Sequence, residues 1–170
     1  MNRIVFWVVV LLTAMWANIA LAGEADSREG RTPVVSRELV SEALSWVQVK
    51  KPELEWSSQL TLASALLREI VLERSGGDKS ESVVQKCADY GDAAHRIAFH
   101  QQMGQRSEEI RDYVEKVIAM APGIPWPDFS VVDEMISRSQ NDLSIEKTDS
   151  GKAEQILFFS AREYERCLLI

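Results

Sequence analysis

The chain has 170 residues, 26 of them acidic against 19 basic, for a net charge of −7, with two cysteines and two histidines. Nucleic-acid and anionic-membrane binding need clustered Lys and Arg to neutralise phosphates, and no such cluster stands in this acidic sequence. The length suits one ordinary domain with a single core.

The first stretch, MNRIVFWVVVLLTAMWANIALAG, has Arg3 ahead of an apolar run from Ile4 to Met15 and then Ala20-Leu21-Ala22. Small residues at −3 and −1 predict a signal peptide over residues 1–22, cleaved before Gly23. The run is shorter than the roughly 20 apolar residues that span a bilayer, so the reading is a periplasmic or secreted protein with no stable membrane insertion after cleavage. Residues 23–35 begin with the polar, aperiodic GEADSREGRTP and read as a flexible leader. The helical domain is expected over residues 36–170.

Ser36 is a suitable N-cap for a first helix with Leu39, Val40, Ala43, Leu44 and Val47 on one side, ending near Lys50, Lys51 and Pro52. Ser57 or Ser58 can cap a second helix running to Ser75, whose apolar face is Leu60, Ala63, Leu66, Leu67, Ile70 and Val71, with Gly76-Gly77 as its stop. Asp78 and Glu81 have capping-box spacing ahead of a long third helix. There Val83, Val84, Cys87, Tyr90, Gly91, Ala94, Ile97, Ala98 and Gln101 recur at steps of three and four. This stripe must pack against something, and the last helix, which carries the other cysteine, is the expected partner.

Ser107 is expected to cap a fourth helix with Ile110, Tyr113, Val114, Val117, Ile118 and Ala121 inward. Three prolines among residues 122–127 stop it and impose an extended path, anchored by Trp126. A short helix capped by Ser130 or Asp133 follows, and then the uneven SRSQNDLSIEKTDSGK, read as a mobile loop around residues 138–152. The final helix, from about Lys152 to Leu168, places Leu157, Ser160, Ala161, Tyr164, Cys167 and Leu168 along one side. No strand-like alternation stands beyond the signal segment. The expected fold is all-α, a single-domain bundle of about five to six helices stapled by one disulfide between Cys87 and Cys167, which export to an oxidising compartment allows. They lack the Cys-x-x-Cys spacing of a redox pair.

Chemistry is sparse. His95 and His100 are five residues apart, about 140° around a helix, so they do not share a ligand face. Asp92 and His95, three apart, are the metal candidates, and Glu73 is the catalytic candidate; their bland readings are surface side chains of helices. No nucleophile motif or phosphate loop is present, and no cofactor is implied.

The stretch from Leu39 through KKPELEWSSQLTLASALLREIVLERSGG, residues 39–77, resembles the lead-in helices of exported lytic transglycosylases, a proline-acid-leucine turn before an alanine-rich helix. Their Glu-Ser motif is replaced here by Glu73-Arg74-Ser75-Gly76. The second half, with Cys87, Ala94, Ile97, Ala98 and Gly104 followed by Cys167, is similar to small uncharacterised exported helical proteins of Gram-negative bacteria. In outline it also resembles the pilotin type of secretion adaptor, which implies a groove that holds a partner's helix. Every patterned residue is accounted for by caps, stripes and a bridge. The sequence therefore favours a non-catalytic protein-binding or structural envelope component with an unidentified envelope protein as partner, over a peptidoglycan-active or degenerate lytic-transglycosylase-like hydrolase.

Overall fold

Six helices form where the apolar stripes recur at helical spacing, and the computed structural model describes them within residues 33–75, 79–123 and 125–170. They are α1 (Arg37–Lys50), α2 (Trp56–Arg74), α3 (Glu81–Gln102), α4 (Ser107–Met120), α5 (Phe129–Asp142) and α6 (Asp149–Leu169). Among the described residues there is no strand. The signal peptide, its cleavage before Gly23, leader residues 23–32 and Asp78 lie outside them.

The pairing expected from the two cysteine helices is the central feature. α3 and α6 share the most extensive contact in the bundle, and Cys87 and Cys167 are joined with their Cα atoms 5.4 Å apart, within the ordinary range for a disulfide. The helices run antiparallel: the disulfide joins the start of α3 to the end of α6, while Gln102 at the other end of α3 meets the segment just before α6. Between these ties, Gly91 lets the helices approach closely. A Cβ there would stand 3.4 Å from both the Ser160 carbonyl oxygen and the Tyr164 Cβ.

α1 and α2 pack on one side of this pair, both against α6, while α5 packs against α3 and α4. Ala94, Ile97 and Ala98 of α3 join Ile110 and Val114 of α4, Met135 and Ile136 of α5, and Ile156 and Phe159 of α6 in one core. Because α6 has neighbours on several sides, its buried residues run well beyond one stripe and include Glu163 and Glu165. Buried carboxylates require partners. Glu163 accepts two hydrogen bonds from Arg138 of α5, from Nε at 3.0 Å and Nη2 at 2.8 Å, and also pairs with Arg166. Glu165 accepts from the backbone amides of Val34 at 2.6 Å and Val35 at 3.3 Å. The last residues of the expected leader are thus fastened to α6, with Val35 buried.

Ser36 caps α1 as expected, its Oγ accepting from the Leu39 amide at 3.2 Å. α3 ends in a Schellman turn: Gly104, at φ +80°, donates to the Gln101 carbonyl and Gln105 donates to that of His100. Other helix starts differ from expectation. α2 begins at Trp56 behind Glu55, and α3 begins behind Ser80; neither residue makes a side-chain capping bond. In α4, Ser107 is already helical, and Glu109 accepts from the Arg106 amide at 2.8 Å. α5 starts at Phe129, so Asp133 is freed from capping and pairs with Arg111 of α4 at 2.5 Å.

The loop expected around residues 138–152 narrows to residues 143–148, because α5 continues to Asp142 and α6 starts behind Thr148, whose Oγ1 accepts from the Gly151 amide. Buried Gln102 holds this connection, donating to the Ser144 carbonyl at 2.8 Å and accepting from the Glu146 amide at 3.0 Å. Leu143 is buried beside it. Among the described residues, no helix is long and apolar enough to cross a membrane.

Candidate functional site

On α2, Thr61, Ser64, Ala65 and Arg68 follow one another at steps of three, one and three, which puts them on one side of the helix. On α3, Asp92, His95 and Arg96 do the same. Both helices rest on α6, and these two sides border a groove of about 470 Å³. Arg68 pairs with Asp92 across it, and a Cβ on Gly91 would lie 3.6 Å from Arg68 Nε.

Both metal candidates line this groove. Asp92 is engaged by Arg68, so it meets a cation already supplied by the protein. Among the described residues, no three of His, Cys, Asp and Glu gather into a metal-binding group. Burial pushes the His95 imidazole below its ordinary value; Asp92 opposes that shift, and the positive charges of Arg68 and Arg96 reinforce it. His95 is therefore neutral at neutral pH, in the same groove as two guanidinium groups.

His100 is directed elsewhere, as its angular separation from His95 requires. Its Nδ1 lies 2.7 Å from Gln105 Oε1, and its ring centroid lies 3.8 Å from that of Tyr113 on α4. It ties α3 to the next helix. Glu73 is exposed on the last turn of α2 and does not line the groove. It follows Arg68 by five residues, so it is turned about 140° from it around the helix.

Arg96 and Trp126 complete the site. The Arg96 guanidinium carbon lies 5.9 Å from the centroid of the Trp126 ring, within reach of a cation–π contact. Trp126 is half-buried as expected of the anchor in the proline segment, and its Nε1 is buried without a hydrogen-bond partner among the described residues. Beyond the groove, Phe99 and Met103 continue the His95 side of α3 at steps of four and stay exposed, at 47% and 60%. Thr61 Oγ1 donates to the Ser57 carbonyl of its own helix at 3.0 Å, and its oxygen can still accept a hydrogen bond.

Neither Arg68 nor Arg96 was singled out from the sequence. The available signal was the interruption of apolar α2 by Thr61, Ser64 and Arg68 on one side, and of α3 by Asp92, His95 and Arg96. Two polar sides are ordinary in surface helices, and only their juxtaposition makes a site. The arrangement offers guanidinium groups and a neutral imidazole, which suit binding of a negatively charged group.

No family model, curated protein or solved structure matches the chain.

Proposed function

We propose that the chain acts after export as a non-catalytic protein-binding component of the cell envelope, and that its partner lies along the face formed by α2 and α3. The observation that carries this reading is the groove between those helices together with its continuation in exposed Phe99 and Met103. A polar trough beside exposed apolar side chains is the composition of a recognition surface, in which apolar contacts supply affinity and charged groups supply register. Both walls rest on α6, and the disulfide fastens α3 to that helix, which lowers the ordering cost of binding.

A photoreactive amino acid placed at Ala65 or Phe99 in the full chain tests it in intact cells. Discrete adducts from these positions, absent when the same group stands at exposed Val49 on α1, are the expected result. The competing hydrolase reading rests on Glu73. Peptidoglycan turnover by the purified protein that disappears in Glu73→Gln would overturn the binding role, as would adducts of equal yield from all three positions.

A further inference from the structure

Among the described residues, Arg68, Arg106, Arg111, Arg138, Arg162 and Arg166 each stand within ion-pair distance of a carboxylate. Of the described residues, Arg37, Arg74 and Arg96 have no such partner, and of these three only Arg96 is half-buried, in a chain whose acidic residues outnumber basic ones by 26 to 19. A half-buried guanidinium without a counter-ion carries part of its desolvation cost uncompensated, and a carboxylate presented from outside would supply what is missing. Arg96 also stands in the groove, where Arg68 can share that carboxylate because its own partner Asp92 is 60% exposed. Neutral His95 and the hydroxyls of Thr61 and Ser64 lie alongside.

Resting on the protein-binding reading above, we infer that the α2–α3 groove receives an aspartate or glutamate side chain of an otherwise apolar segment of the partner, with Arg96 as its principal counter-ion. Guanidinium forks match carboxylates in a two-point geometry. The neighbouring Phe99 and Met103 call for apolar residues about one helical turn from the acid. Isolated acids suit the site better than a run of negative charge, because two arginines neutralise only a few charges on a protein whose net charge is −7. A nucleic acid is disfavoured on the same ground.

Isotope-labelled full chain, purified from cells, is titrated with a blocked helical peptide carrying one Glu with Leu four residues on, and with its Gln twin. The Glu peptide is expected to bind about tenfold tighter than the twin, as a charge-assisted pair worth roughly 1.4 kcal/mol requires. It should shift the backbone amide signals of Ala65, Asp92 and Arg96. Arg96→Gln should bring the Glu peptide down to the level of its twin, while Arg96→Lys, which keeps the charge, should recover part of the difference. Thermal unfolding of both variants verifies that they are folded. Equal binding of the two peptides, an unaffected Arg96→Gln variant, or free glutarate binding as tightly as the Glu peptide would each overturn the inference. Cellular adducts from Ala65 and Phe99 that persist undiminished in Arg96→Gln would overturn it while leaving the protein-binding reading in place. Absence of those adducts from the unmodified sequence would remove both.

Discussion

Replacing Cys87 and Cys167 together by alanine removes a cross-link between residues separated by 80 positions in the chain. In the chain-entropy model, a loop of that length restricts the unfolded ensemble by about 4.5 kcal/mol at room temperature. The folded state loses less. Cys87 is buried, so truncation leaves a small void costing about 1 kcal/mol or less, while the α3–α6 contacts around it remain. The combined loss is about 5 kcal/mol, set against a total of roughly 5–15 kcal/mol for a domain. Equilibrium urea unfolding followed by far-ultraviolet circular dichroism should show the midpoint falling by about 2.5 M for a slope near 2 kcal/mol per molar. The native spectrum should remain helical if the variant retains enough stability to fold, and the reduced protein should match the double variant within about 1 kcal/mol. A loss below about 1.5 kcal/mol with an unchanged slope would refute the reasoning. It would mean that the unfolded chain is already confined without the bridge.

Glu163→Gln should cost about 2 kcal/mol in chemical denaturation, because it weakens the buried end of the Arg138 pair, whereas Glu134→Gln, at the exposed partner of the same arginine, should cost under about 0.5 kcal/mol. Arg138 keeps some contact with water, which holds the first value below that of a fully enclosed pair; equal losses would show that burial of Glu163 is energetically irrelevant. Stability should also fall on acidification through His95. Its imidazole titrates lower in the folded protein than the unfolded value of about 6.5, so below that pH the unfolded chain binds more protons, and the loss levels off once the folded imidazole is protonated. The thermal midpoint of the unmodified protein should therefore drop more than that of His95→Gln between about pH 7.5 and about pH 5.5, and parallel curves would exclude the effect.

Local physics made much of the bundle legible before any tertiary contact was known. Ser36 precedes an apolar stripe and caps it, and both cysteines lie where their helices face each other. Other helix starts are less legible: Ser57, Ser107 and Ser130 suit an N-cap by residue type, yet each helix starts one or two residues earlier, behind Glu55, Arg106 and Asp128. The breadth of α6 burial was also out of reach. Glu163 and Glu165 look like solvent-facing acids until Arg138 and the Val34 and Val35 amides are brought to them from distant parts of the chain.

The amino-acid pattern by itself determined the all-α class, the side on which each helix is apolar and the pairing of the two cysteine helices, since periodicity specifies angles around a single axis. It also separated His95 from His100 for the same reason. Only the tertiary structure decided that the polar side of α2 would border that of α3, because both helices are placed chiefly by their contacts with α6. That placement brings Arg68, Asp92, His95 and Arg96 to one groove and leaves Glu73 outside it. A helical repeat records which way a side chain points, but what stands opposite depends on the packing of a third helix.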